Sequence, residues 1–310
     1  MNANYRLITR CDFDGIVCAM MLKEMNLIKD IMFVHPKDVQ DGLVDITSRD
    51  IMTNLPYSSN AKLVFDHHLS EEERLSETRP ENSVLDPLVK SSARVVFDYY
   101  GGEEKFSDKW NEILKAVDKA DSASFSIEEI LKPKKWVLLN YILDPRTGLG
   151  RFKNFRLSHF DFAMSLIDFA KNHSIDEILE NPDVKERVDL YFEQTEQFKS
   201  QIKRCAKKFG NLVLIDLRNE EIIYAGNRFL VYALFPECNI SMHCIWGVNK
   251  QNTVFAIGKS IVNKTSRTNV GLLALNYGGG GHENAGTCQI PNEQAFEVMQ
   301  KLIHKINFDG

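Results

Sequence analysis

Residues 5–25 read YRLITRCDFDGIVCAMMLKEM. Tyr5 to Thr9 is a short, largely apolar run, and after it Ile16, Ala19, Met20, Met21 and Leu22 recur at broadly helical spacing between Gly15 and Met25. The reading is strand, loop, helix. It leaves Asp12-Phe13-Asp14 in the turn at the carboxyl end of the strand, where open α/β sheets place their ligands. Working outward, short runs at Ile31 to Val34, Asp50 to Asn54 and Lys62 to Phe65 are separated by polar or helical stretches, which predicts further strands of a mostly parallel sheet. Ser91 to Tyr100 and Asp108 to Ala120 carry strong helix formers with apolar spacing suited to packing on that sheet.

From Pro182 to about Lys208 the pattern changes: Val184, Val188, Tyr191, Phe192, Thr195, Phe198 and Ile202 recur at threes and fours through a highly charged segment. One long connecting helix is expected. Beyond it, Leu212 to Leu217, Phe229 to Leu234, Ile240 to Trp246 and Thr253 to Ile257 read as strands. Ala295 to Ile306 reads as a last amphipathic helix behind Pro291, with Asn292 as its cap. The chain of 310 residues, at roughly 150 per domain, is thus expected to be α/β. A mostly parallel-sheet domain (1–185) is joined by a helix (186–208) to a smaller α/β domain (209–310).

Composition narrows the function classes. Hydrophobic residues at 44% and charged residues at 26% are ordinary globular values, which excludes global disorder and a fibrous chain. A net charge of −5 gives no general attraction to a phosphate backbone, so any nucleic-acid contact is expected to be local. Cys11, Cys18, Cys205, Cys238, Cys244 and Cys288 form no CxxC pair, which suits reduced thiols in the cytoplasm. No window is long and apolar enough to cross a bilayer, and the opening MNANYRLITRCDFDG has no apolar leader core, so no membrane partner is expected.

A second acidic cluster, Asp66-His67-His68, follows the apolar strand ending at Phe65 and falls at the same sheet end as Asp12 and Asp14. Alternation puts Asp66 and His68 on one side and His67 on the other if the strand continues, so all three serve together only where strand gives way to loop. Carboxylates with imidazoles suit Mn²⁺, Fe²⁺ or Zn²⁺ better than Mg²⁺. A further contributor is sought at the end of the helix, where Asp118 and Asp121 are three apart; Asp121 is favoured because Ser122 and Ser124 after it signal a turn. An Asp-x-Asp pair after a strand is equally compatible with a self-bonded turn.

Residues 278–286 read GGGGHENAG. Four consecutive glycines carry an entropic cost that core packing does not ordinarily require, so close backbone approach to a ligand is expected. Exposed N–H groups there can hold a phosphate or carboxylate, with His282 adding a donor. The triphosphatase ending Gly-Lys-Ser/Thr and the GxGxxG spacing are both absent. Between Cys238 and His282 there is no acid, while Lys250, Lys259, Lys264 and Arg267 occur, predicting a positive strip beside the loop.

TRCDFDG at 9–15, FDHH at 65–68, the aspartate at 121 and GGGGHENAG at 278–286 together resemble the DHH phosphoesterases that carry a DHHA1-type C-terminal domain, including exopolyphosphatase-like and small-oligonucleotide-cleaving members. The likeness spans nearly the whole chain. It implies hydrolysis of a phosphoester or phosphoanhydride in a small anionic substrate such as a short single-stranded oligonucleotide, a nucleoside phosphate or polyphosphate. The implied cofactor is Mn²⁺, one or two ions, with Mg²⁺, Co²⁺ or Zn²⁺ as alternatives. It also allows a homodimer, which nothing in the residues themselves requires.

Carried over by position, the resemblance makes Asp12, Asp14, Asp66, His68 and Asp121 metal ligands and puts His67, with Asp66, beside the reacting phosphate. Gly279, Gly280, Gly281 and His282 fall on the substrate motif, with Lys259, Asn263 and Arg267 as further phosphate or base contacts. Two positions depart from the pattern. Arg10 stands where the family usually has His, and Asn54 where it usually has Asp. Arg10 has no lone pair to give a metal, but it can neutralise the acids or grip a phosphate. Asn54 can coordinate through oxygen without contributing charge, and Asp50 is an alternative ligand. Two readings are open: a hydrolase whose second domain closes over the centre, and a phosphate-ligand-binding protein in which Arg10 and Asn54 have removed turnover.

Overall fold

A computed structural model describes residues 4–75, 79–152 and 154–310. The chain forms two compact units, one of residues 1–124, 134–145 and 149–189, the other of residues 125–133, 146–148 and 190–310.

The first unit contains β1 (Tyr5–Thr9), α1 (Phe13–Glu24), β2 (Ile28–Phe33), α2 (Pro36–Gln40), β3 (Asp50–Thr53), β4 (Leu63–Asp66), α3 (Leu69–Arg74), β5 (Ser83–Leu85), α4 (Ser92–Tyr99) and α5 (Lys109–Asp121). After α6 (Ile127–Leu131), which belongs to the second unit, come α7 (Lys135–Leu143), α8 (His159–Ala170), α9 (Ile175–Glu180) and the start of α10 (Pro182–Cys205), whose residues from Leu190 onward belong to the second unit. Every pairing in its sheet is parallel, in the order β2-β1-β3-β4-β5. Central strands of such a sheet are covered on both faces, which is why β3 is buried throughout and Leu7, Ile8, Met52 and Phe65 have no exposed surface. The edge strand β2 instead turns Lys29 and Asp30 to solvent. Helix α1 is buried from Phe13 to Leu22, as an apolar helix with no polar face must be. The expected strand at 31–34 starts earlier, at Ile28, and β5 had no strong sequence signal.

The second unit holds β6 (Ala206–Phe209), β7 (Leu212–Asp216), α11 (Leu230–Leu234), β8 (Ile240–Trp246), β9 (Thr253–Lys259), α12 (Val270–Leu275), β10 (Gly280–His282), β11 (Ala285–Ile290) and α13 (Ala295–Asp309). Its mixed sheet runs β10-β11-β9-β8-β7-β6, with β7 and β8 the parallel pair. Its core joins Leu212, Met242 and Phe255 of the sheet to Val270 and Leu273 of α12 and Leu302 and Ile306 of α13.

Several expectations are corrected here. Residues 206–208 leave the long helix and pair antiparallel with β7. Phe229 to Leu234 is helix rather than strand: a continuous apolar run has no period to tell the two apart, and Asn227 decides by accepting the Phe229 N–H at 2.9 Å and turning the chain. Asn292 does not cap α13, whose flanking residue is Gln294. Its side chain instead accepts from Thr253 Oγ1 and donates to Lys250 O. The glycine segment is an edge strand as well as a turn. Among the described residues no helix is long and apolar enough to cross a membrane.

Candidate metal centre

Strand order places the functional side chains. In the order 2-1-3-4-5 the direction of winding reverses between β1 and β3, and ligands gather beyond the carboxyl ends at that point. Asp12 follows β1, Asn54 follows β3, and Asp66 closes β4.

Asp12 is the N-cap of α1, its Oδ1 accepting the Gly15 N–H at 3.0 Å. A Cβ on residue 15 would meet the Arg10 carbonyl oxygen at 2.1 Å, so this close strand-to-helix turn admits only glycine. Asp14 in the first turn is buried, and its two oxygens accept N–H groups from Ser92 at 3.0 Å and Ala93 at 2.8 Å. Beyond Asp66 the strand ends, which frees both histidines from alternation. His68 Nδ1 lies 2.8 Å from Asp66 Oδ1, and His67 Nε2 lies 2.8 Å from Asp121 Oδ2.

Ligand atoms of Asp14, His67 and Asp121 lie within 4.8 Å of one another, and so do those of Asp66, His67 and His68. Acids gathered this closely repel one another unless a cation or a proton intervenes. Burial, then the charges of Asp121 and Asp12, push the Asp14 carboxyl up to about 7. Burial works against a charged His67, but contact with Asp121 and the fields of Asp14 and Asp66 prevail and raise it to about 9. Loss of solvation works against an ionised Asp121, yet His67 holds it below the usual carboxylate range. His68 is raised by Asp66 against the effect of burial. Asp121 also ends α5, where the helix dipole disfavours an anion. A nearby positive charge relieves that cost.

The donor set fits a divalent cation. Asn54 Oδ1 and His67 Nε2 are buried polar atoms without a hydrogen-bond partner among the described residues, and the 2.8 Å approach of Nε2 to Asp121 lacks hydrogen-bond alignment. Oxygen and imidazole donors without sulfur match a hard or borderline metal.

The remaining predicted residues divide. Arg10 Nε pairs with Asp12 Oδ2 at 3.1 Å. Asn54, at a left-handed φ of 56°, donates Nδ2 to Asp12 at 3.2 Å. Asp12 is thus held by Gly15, Arg10 and Asn54 and joins neither cluster. Asp50 is not an alternative ligand: Arg6 grips it at 2.7 and 2.9 Å, and although burial opposes ionisation, Arg6 and Thr47 hold it below the ordinary range. Asp118 and Asp121 do not act together, because Asp118 faces Ser91 and Arg94. Ser91, Ser92 and Arg94 were missed by sequence reading. The SSAR run shows only as a helix start.

In the second unit, His282 is exposed and its Nδ1 accepts the Asn284 N–H at 3.2 Å, which leaves Nε2 as the protonated nitrogen of the neutral ring. Arg267 is exposed as well. Lys259 is not free, because Glu283, one residue past the acid-free stretch, pairs with it at 3.0 Å. The side-chain amide nitrogen of Asn263 bonds to the Pro236 and Glu237 carbonyls, and its oxygen accepts from Thr265. Packing does require some of the glycines. Cβ atoms on Gly279 and Gly281 would meet backbone at 2.1 and 2.2 Å, whereas Gly280 faces open space. Asn227 and Phe229 are core residues, and Tyr277 packs on the core of this unit.

No family model and no curated protein matches the chain. Among solved structures, the pGpG-specific phosphodiesterase PggH from Vibrio cholerae is 56% identical over 99% of this chain and 100% of its own, with a TM-score of 0.87. An exopolyphosphatase-related protein from Bacteroides fragilis is 16% identical over 98% of this chain and 93% of its own, TM-score 0.52. RecJ from Thermus thermophilus, solved with Mn²⁺, is 12% identical over 98% of this chain and 52% of its own, TM-score 0.58. The last two share the fold.

Proposed function

Because the chain belongs to the DHH-family phosphoesterases, as a relative of the pGpG-specific phosphodiesterase PggH, we propose that it cleaves the linear dinucleotide pGpG. Membership and the two Asp/His clusters make it a metal-dependent hydrolase of a phosphoester or phosphoanhydride bond in a small anionic substrate. The observation that carries the finer reading is identity of 56% over 99% of this chain and 100% of that one. In the proposed reaction water adds to phosphorus, the P–O3′ bond breaks, a proton goes to the leaving O3′, and two molecules of GMP result.

Asp14 and Asp121, which share one cluster with His67, and Asp66 and His68, which share the other, are the proposed metal ligands, with Asn54 Oδ1 completing the shell. When bound, the cation activates water and neutralises charge on the phosphoryl oxygens. Mn²⁺ suits this mixed oxygen and imidazole set. His67 is the proposed stabiliser of charge developing at phosphorus. Arg10, tethered to Asp12, offers its outer N–H groups to a phosphate oxygen. His282, Arg267 and the backbone at Gly280 are the proposed anion contacts of the second unit. The neighbouring Gly279 and Gly281 shape that strand, and Lys259 and Asn263 support it. Free cysteines at every cysteine position suit a cytoplasmic setting.

Purified protein with Mn²⁺ tests the reading against pGpG, pyrophosphate, polyphosphate and adenosine bisphosphate. Turnover of pGpG to GMP, stopped by chelator, is expected. Turnover of pyrophosphate with pGpG left intact would overturn the substrate assignment.

A further inference from the structure

The first turn of α4 is tied on two sides. On one side it holds the metal centre, with Ser92 N and Ala93 N donating to Asp14 at 3.0 and 2.8 Å and Ser92 Oγ lying 3.5 Å from Asp66 Oδ1. On the other, Ser91 Oγ donates to Asp118 Oδ1 at 2.7 Å, and Arg94 gives Nε and Nη2 to Asp118 Oδ2 at 3.1 and 2.7 Å. Ser91 Oγ also accepts the Arg94 N–H at 3.1 Å, so the capping hydroxyl is engaged both as donor and as acceptor. Neither Ser91 nor Ser92 has any exposed surface.

We propose that Asp118 is a positioning residue of the metal centre, acting through Ser91 and Arg94 on the α4 N–H groups that hold Asp14. A carboxylate held by two backbone donors keeps one rotamer, and its remaining lone pairs then point in a fixed direction. The donors are only as well placed as the turn that bears them. Asp118 fixes that turn from α5, the helix that carries Asp121 three residues later, so one helix sets the position of two members of the Asp14, His67, Asp121 cluster. Charge-assisted bonds from Arg94 make the link stiff. A capping serine alone would hold the turn to its own helix, whereas Asp118 registers it against a second one.

This inference rests on the metal-centre reading and is tested by metal affinity, which needs no substrate. In titration calorimetry of the full chain with Mn²⁺, Asp118→Ala and Ser91→Ala should each weaken binding about tenfold or more, the range seen when groups that orient metal ligands are removed. The double variant should lose less than the two single losses combined, because the changes share the Ser91–Asp118 link. Asp118→Asn keeps an acceptor for Ser91 and should lie between Asp118→Ala and the unaltered protein. Val117→Ala, a buried neighbour on α5, is the packing control: it should lower the metal-free Tm and leave Mn²⁺ affinity unchanged. Should Asp118→Ala fail to fold, Asp118→Asn and Ser91→Ala carry the test. Native-like Asp118 and Ser91 variants with undiminished affinity would overturn the proposal. So would a loss in Val117→Ala equal to that in Asp118→Ala at matched Tm. An unaltered protein that binds no Mn²⁺ would overturn the metal-centre reading together with this one.

Discussion

His67 Nε2 stands 2.8 Å from Asp121 Oδ2, and the approach has the distance of an ion pair without the alignment of a hydrogen bond. With Asp14 completing the group, the arrangement has excess negative charge that protons relieve when metal is absent.

The metal-free protein should therefore lose stability as pH rises from about 6 to 8.5. Asp14 and His67 both have folded-state pKa values, about 7 and about 9, above the ordinary values of 3.8 and 6.5. Each binds its proton more tightly when folded, so the stability it contributes is full at low pH and is lost as pH climbs through the folded value. Asp121, shifted downward, acts below this window. Divalent metal replaces the protons and should stabilise more at pH 8.5 than at pH 6. Scanning calorimetry with chelator and with Mn²⁺ measures both trends; a metal-free Tm that rises across this range would contradict the assignment.

Asp66→Asn removes a charge from the Asp66, His67, His68 cluster and weakens the grip on His68. Metal-dependent turnover should fall at least about 100-fold, beyond the effect of residues that only orient ligands. The circular dichroism spectrum should stay native. Undiminished turnover would remove Asp66 from the ligand set.

Asn54→Asp should act in opposite directions with and without metal. Aspartate tolerates the left-handed φ of 56° at this position. It replaces the amide that donates to Asp12 with a second carboxylate, which should lower the metal-free Tm by a few degrees. It also adds charge to the donor set, so the Mn²⁺ Kd should fall severalfold in calorimetry. A variant that binds Mn²⁺ no better would place Asn54 outside the shell.

Gly281→Ala and Gly280→Ala separate packing from binding. At Gly281 a Cβ would lie 2.2 Å from the Ala285 carbonyl oxygen, and the change should cost about 1–3 kcal/mol in denaturant unfolding. At Gly280 it meets nothing within 4 Å, so stability should hold while KM for pGpG rises severalfold if the backbone there contacts substrate. A normal KM in Gly280→Ala would remove that contact.

Much of this was legible along the chain because the decisive signals are local. A strand-turn-helix with acids in the turn, an apolar run ending in Asp66-His67-His68, and a long amphipathic helix all announce themselves within a few residues. The Phe229 to Leu234 run was misread because uninterrupted apolarity carries no period, and the Asn227 bond that turns the chain leaves no mark on that run. Lys259 looked free because its partner Glu283 lies 24 residues away, in the turn that the pairing of β11 with β9 brings alongside it.

Residue order settled most of the element types and the chemistry available to them: carboxylates and imidazoles where strands end, glycines where backbones must meet. Folding assigned the partners. Of two aspartates one helical turn apart, Asp121 meets His67 and Asp118 meets Ser91 and Arg94. Asp50 is claimed by Arg6, and the α4 amides reach Asp14 from 78 and 79 residues away. Hydrogen bonds and ion pairs act over a few ångströms, so they follow proximity in space, which separation along the chain does not predict.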